Sequence, residues 1–194
     1  MTPTLALGLP AHLRPQAAQL YWQAFGGKLG FVLGPQARAL TFLEQVMRSD
    51  HVIIALDEGD HLVGLAGFKS PKGSFAAGDA AAMQRTYGLF GGFWRSTVLG
   101  LLSHEVDNEN FLIDGICVAP QVRGQGVGAA LLEAACIEAA SRGYPAVRLD
   151  VIDANWRAQG LYRRLGFVET KRQSIGFLRH AFGFAAAITM VRRL

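Results

Sequence analysis

At 194 residues, 51% of them hydrophobic and 18% charged, the chain can bury a large core, which excludes a disordered segment and leaves little room for two domains. The net charge of +4 is unevenly spread. From Trp156 onward eight Lys/Arg stand against one acid, Glu169, so residues 1–155 sum to −3; a basic C-terminal part suits a polyanionic ligand or is simply a solvated face.

In chain order, Leu13, Ala17, Leu20, Tyr21, Ala24 and Phe25 recur at helical spacing between His12 and Phe25. Gly26, Gly27, Gly30 and Gly34-Pro35 are expected to break that helix up. A second helix covers Gln36 to Met47, with Leu40, Leu43 and Met47 on one face. His51–Leu56 and His61–Phe68 flank the acidic turn Asp57-Glu58-Gly59-Asp60 and read as a β-hairpin. His51 and His61 read as surface residues, since no third metal ligand lies near them.

Ser70 to Gly78 is a Gly/Ser/Pro-rich loop, and Asp79 to His104 is expected to be helical, broken near Gly91-Gly92. Leu89, Phe90, Phe93, Trp94, Val98, Leu101 and Leu102 make that stretch too apolar for a thin amphipathic stripe. It packs on the core, meets a second subunit in a homodimer, or walls an apolar part of a substrate.

Glu105, Asp107 and Glu109 lead into a strand from Phe111 to Val118. A helix over Gly126–Arg142, a strand over Ala146–Ile152 and a short helix over Asn155–Leu165 follow. Phe167–Ser174 and Ala185–Arg192 read as a closing pair of strands, joined by a turn over 176–183. Strand, helix and strand from 111 to 152 form a βαβ unit with an expected right-handed crossover. The fold class is therefore α/β of the α+β type: a mixed, mostly antiparallel central sheet with one βαβ unit and flanking helices. One domain over 1–194 with a helical insertion at about 70–104 accounts for the whole chain.

Cys117 and Cys136, the two cysteines, form no zinc or disulfide spacing and read as buried reduced thiols of a cytoplasmic protein. No metal site is expected. No secretory signal pattern opens the sequence, and no window reaches the roughly 18 apolar residues a membrane span needs. Aromatic and basic residues are not spaced as a nucleic-acid platform.

The chemistry concentrates in Asp114-Gly115-Ile116-Cys117-Val118-Ala119-Pro120-Gln121-Val122-Arg123-Gly124-Gln125-Gly126-Val127-Gly128. A strand ends at Pro120, and glycines at 124, 126 and 128 precede a helix, whose free N–H groups and positive dipole end suit a phosphate or pyrophosphate. The spacing is neither Gly-x-Gly-x-x-Gly nor a Walker loop ending in Gly-Lys-Ser/Thr, so both of those nucleotide sites are excluded.

The stretch resembles the GNAT superfamily of acetyl-CoA-dependent N-acetyltransferases, whose Gln/Arg-x-x-Gly-x-Gly/Ala motif stands here as Arg123-Gly124-Gln125-Gly126-Val127-Gly128. A second motif follows in order, Asn155-x-x-Ala158-x-x-Leu161-Tyr162-x-x-x-Gly166-Phe167. The resemblance implies a β-strand splayed from its neighbour, with the backbone of Ile116, Cys117 and Val118 holding the pantetheine arm of acetyl-CoA. It implies that the amides of Arg123, Gly124, Gln125, Gly126, Val127 and Gly128 hold the pyrophosphate, that Asn155 bonds the pantetheine region, and that Tyr162 protonates the leaving thiolate. The Val118 amide would donate to the thioester oxygen.

The general base does not carry over, because Leu112 stands where histone-acetylating relatives have a glutamate. Asp114 is the candidate, with Leu112 and Ile116 as its alternation partners on the strand; a water chain is the rival, and Glu105, Asp107 and Glu109 could also stand at the mouth. The expected function is acetyl transfer from acetyl-CoA to a primary amine, on a small molecule or peptide, by direct attack in a ternary complex. An acyl-CoA-binding sensor or interaction module without transfer activity is the alternative.

Overall fold

The computed structural model describes residues 2–76, 78, 81–88, 92, 109–176 and 184–194. An edge strand, β1 (Thr4–Leu7), precedes two helices, α1 (Arg14–Leu33) and α2 (Gln36–Val46). The hairpin β2 (Val52–Leu56) and β3 (Leu62–Ser70) turns back on itself at the two-residue β4 (Gly73–Ser74), and a helix, α3, covers 81–88. Then come β5 (Phe111–Val118), α4 (Val127–Ser141), β6 (Ala146–Ile152), α5 (Trp156–Arg164), β7 (Val168–Ser174) and β8 (Ala186–Arg193).

These strands make one eight-stranded sheet in the order β1-β2-β3-β5-β6-β8-β7, with β4 on β3. Among the described strands only β5 and β6 run parallel, across the α4 crossover, and the other pairs are antiparallel. The mixed sheet and the βαβ unit follow the expected fold class. Alternation in β2 shows why the sheet carries helices on both faces. Ile53 and Ala55 pack with Leu131, Leu132 and Ala135 of α4, while Val52 and Ile54 pack with Ala17, Tyr21 and Leu43 from α1 and α2. A smaller apolar cluster joins Val32, Leu33, Ala39 and Phe42 to Ala82, Met83 and Tyr87 of α3.

Four expectations change. The glycines at 26, 27 and 30 do not break α1, which runs on to Leu33. The Trp22 indole lies 2.8 Å from where a Cβ on Gly26 would stand, so the missing side chain makes room for a ring that buries the helix, offsetting a glycine cost of about 0.5–1 kcal/mol. β1 goes unforeseen, because its pairing with β2 is long-range and all four of its residues are exposed. The Ser70–Gly78 loop contains β4. His51 is buried, 2% exposed, with Nε2 2.8 Å from Ser70 Oγ and its ring against Phe68 at 5.4 Å. His61 stays exposed as expected.

Of the helix expected over 79–104, residues 81–88 are helical. Most of its apolar run, together with Glu105, Asp107 and most of the 176–183 turn, lies outside the described residues. Among the described residues no helix is long and apolar enough to cross a membrane, and no group of three potential metal ligands occurs.

Candidate functional site

β5 carries the site because it leaves its neighbour. It pairs with β6 only at Phe111, Leu112 and Ile113. From Asp114 onward β6 is paired to β8 alone, so a gap opens along the second half of β5. On its other edge β5 stays with β3, but Gly67 faces Gly115 and Phe68 faces Ile113, which leaves Asp114 as the extra residue of a β-bulge.

The bulge resets the alternation. Ile113 and Ile116 both touch the α4 side, whereas Gly115 and Cys117 face α1. Asp114 joins the α1 side, where Tyr21 and Ser74 lie, so Ile116 is not its alternation partner as the strand pattern suggests.

The backbone phase is fixed by the Ala119 N–H, which donates to the Val63 carbonyl at 2.9 Å. In an antiparallel ladder every second residue then turns its N–H and C=O to the partner strand. Cys117 therefore spends its backbone on β3, and Ile116 and Val118 turn theirs to the gap. The Val118 carbonyl accepts from Arg123 Nε at 3.0 Å. The Cys117 side chain is buried, and burial pushes its thiol up, away from the thiolate form that nucleophilic chemistry uses.

At the end of the gap, Pro120–Val122 make a 3-10 turn and the chain enters α4 with Gly124 at φ +81° and Gly126 at φ +90°. Both angles lie in the left-handed region, where a Cβ is strained. The Arg123 and Gln125 amides return to the carbonyls of Pro120 and Val122, at 3.4 and 3.3 Å. Those of Val127 and Gly128 fall in the first turn of α4, which offers no intrahelical acceptor. Together with the positive end of the helix they are suited to an anion. A Cβ on Gly128 would stand 3.4 Å from Leu161 and 3.6 Å from Val118, so the end of β5, the start of α4 and the middle of α5 meet at one place.

Tyr162 follows Leu161 on α5. It is 6% exposed, packs on Phe167 at 6.1 Å, and is held far above the usual tyrosine range by burial, with the Cys117 thiol adding to the effect. Burial thus favours the neutral phenol, which carries an O–H. Asn155 caps α5: its Oδ1 accepts from the Ala158 N–H at 3.2 Å. Of the basic C-terminal residues, Arg163 and Arg172 pair with Glu169, Arg192 pairs with Glu133, and Arg157 lies over the exposed Trp156 ring at 5.1 Å.

Sequence reasoning missed what surrounds Asp114. Ser74 Oγ donates to its Oδ2 at 2.5 Å, and Lys69 Nζ stands 3.5 Å from its Oδ1. Beside it the Tyr21 and Phe25 rings, 4.6 Å apart, close over Gly115, where a Cβ would be 3.2 Å from Phe25. Tyr21 is held well above its ordinary range, by burial first and by the Asp114 charge second. No local signal announces these partners, since Ser74 is 40 positions from Asp114. Glu109 is exposed.

The family model "Acetyltransferase (GNAT) family" matches residues 15–167. Thialysine N-epsilon-acetyltransferase of Bos taurus is 39% identical over 57 residues, 29% of this chain and 34% of that relative, so the match spans about a third of the curated relative's length. A crystal structure described as an acetyltransferase superposes with a TM-score of 0.65 at 17% identity over 98% of both chains. A GNAT superfamily phosphinothricin acetyltransferase from Sinorhizobium meliloti, solved with AcCoA, gives 0.62 at 18% identity, over all of this chain and 89% of that one.

Proposed function

The chain belongs to the Acetyltransferase (GNAT) family, and on that premise we propose that it moves an acetyl group from acetyl-CoA to a primary amine by direct attack within a ternary complex. The observation that carries this reading is the gap beside β5 from Asp114 to Val118, closed at one end by the N-terminus of α4 and met there by α5 at Leu161, the residue before Tyr162. The gap suits an extended arm. Ile116 and Val118 turn backbone groups into it, and the amides of Gly124, Gly126, Val127 and Gly128 suit the pyrophosphate beyond it. Acetyl-CoA supplies the activated acyl group.

In the transfer, the amine nitrogen forms a bond to the thioester carbon and the carbon–sulfur bond breaks. The Val118 N–H donates to the carbonyl oxygen as charge gathers there. Tyr162, kept protonated by burial, gives its proton to the departing sulfur. Asp114 accepts the proton the amine loses. Asn155 has two tasks, with Oδ1 capping α5 and its NH2 donating to the cofactor arm.

Calorimetric titration with acetyl-CoA, followed by thiol release over a panel of primary amines, tests this. Acetyl-CoA binds and at least one amine releases CoA. Tyr162→Phe lowers turnover by more than about tenfold with cofactor affinity nearly unchanged. Unchanged turnover in that variant removes Tyr162 from the mechanism. Tight acetyl-CoA binding with no release from any amine favours a sensor without transfer activity.

A further inference from the structure

The reading above leaves the acceptor unnamed, and the α1 side of the bulge bears on it. Asp114 and Lys69 stand there on adjacent strands, Nζ 3.5 Å from Oδ1, with 18% and 19% of their side chains exposed. At that distance they attract each other without a well-formed hydrogen bond. The other Asp114 oxygen is committed to the buried Ser74 hydroxyl, so the carboxylate is held in place while the oxygen facing Lys69 keeps room for a second donor. No other carboxylate among the described residues pairs with Lys69. Next to this dipole of full charges the Tyr21 and Phe25 rings close over Gly115, Tyr21 buried and Phe25 partly exposed.

The charges discriminate between acceptors. A plain alkylamine would set its ammonium against Asp114 and compete with Lys69, leaving the lysine facing a second cation in a largely covered place. An acceptor carrying a carboxylate next to its ammonium avoids that conflict. Its ammonium meets Asp114, its carboxylate meets Lys69, and four alternating charges close a ring in which none is left without a partner. The 3.5 Å between Nζ and Oδ1 is of the same order as the spacing of the two charged groups within one α-amino acid. The side chain of such a molecule has the partly exposed Phe25 ring beside it.

We propose that the acceptor is an α-amino acid with an apolar side chain, bound through Asp114 to its α-ammonium and through Lys69 to its carboxylate. This rests on the acetyltransferase reading of the same site, and Lys69 serves as its specificity-determining residue. The nitrogen that meets Asp114 is the one acetylated: its ammonium passes one proton to that carboxylate to become the attacking amine, and the proton lost as the amide forms replaces the one Tyr162 gives to the sulfur.

The test compares phenylalanine with 2-phenylethylamine, which differ only in the carboxylate, by calorimetric binding to the protein saturated with CoA. Phenylalanine is expected to bind about tenfold more tightly, a difference of about 1.4 kcal/mol. Lys69→Met, or Lys69→Gln if the first variant folds poorly, removes the difference and leaves CoA affinity within about twofold. Equal binding of the two ligands, a preference that survives in both Lys69 variants, or failure of both ligands to bind overturns the proposal. Failure of the acetyltransferase reading looks different, because no amine then releases thiol from acetyl-CoA, whether or not acetyl-CoA itself binds.

Discussion

On the side of β5 that faces the gap lie the backbone groups of Ile116 and Val118, the N-terminus of α4 and the α5 helix at Leu161. On the side that faces α1 lie side chains from separate segments: Tyr21 and Phe25, Lys69, Ser74, and Asp114 itself. The first side is made by local backbone geometry, with positive φ at Gly124 and Gly126 and a gap that opens because β6 ends its pairing at Ile113. The second is made by tertiary packing, and one close approach holds it together. A site of the first kind suits a part of the reaction that never changes, the cofactor. A site of the second kind can be altered by single side chains, and suits the acceptor.

Gly67→Ala breaks the second side hardest. Gly67 lies opposite Gly115 in the ladder, and a Cβ there would come within 2.6–2.9 Å of the Phe75 side chain. Phe75 is fully buried and follows Ser74 in the chain, so it has nowhere to retreat without shifting the serine from Asp114. Overpacking of this kind costs about 3 kcal/mol, roughly 6–12 °C in melting temperature for a chain of this size. CoA affinity at a temperature where the variant is folded should be nearly unchanged. A parallel loss of CoA affinity would mean the two sides are one cooperative unit.

Gly126→Ala is the complementary change on the first side. Nothing lies within 4 Å of the position a Cβ would take, so the cost is purely conformational, from φ +90°. It should be about 1–2 kcal/mol of stability, with CoA affinity down about tenfold as the loop amides are re-aimed. Scanning calorimetry and CoA titration read both. Unaltered CoA affinity would remove this loop from the cofactor site.

How legible each side is from sequence follows from the same contrast. The glycine spacing and the bounds of the strand and helix beside it are written within a short stretch of sequence, and the structure places β5 at Phe111–Val118 and β6 at Ala146–Ile152 as expected. The bulge is not written locally. Asp114 reads as an ordinary strand residue until β3 supplies Gly67 and Phe68 to set the register. Ser74 reads as a loop serine until β4 folds back on β3. His51 reads as a surface residue, yet Ser70 and Phe68 from the returning strand bury it. Periodicity also misjudged α1, because a glycine costs little where a neighbouring ring fills the space it leaves.

The smallest expected effect separates two functions of one residue. Asn155 is the N-cap of α5, and its Oδ1 already holds the Ala158 N–H. Asn155→Ala should therefore lose about 1 kcal/mol of stability through the cap alone, whatever the residue does for the cofactor. Asn155→Asp keeps an oxygen for that N–H and adds a negative charge at the positive end of the helix, so stability by chemical denaturation should stay within about 0.5 kcal/mol of the parent. What the aspartate removes is the NH2 donor. If that group bonds the pantetheine arm, Asn155→Asp loses several-fold in CoA affinity while remaining as stable as the parent, and Asn155→Ala loses both. If the aspartate variant binds CoA as the parent does, the residue belongs to the helix alone, and the cofactor half of the site rests on the glycine loop and the gap.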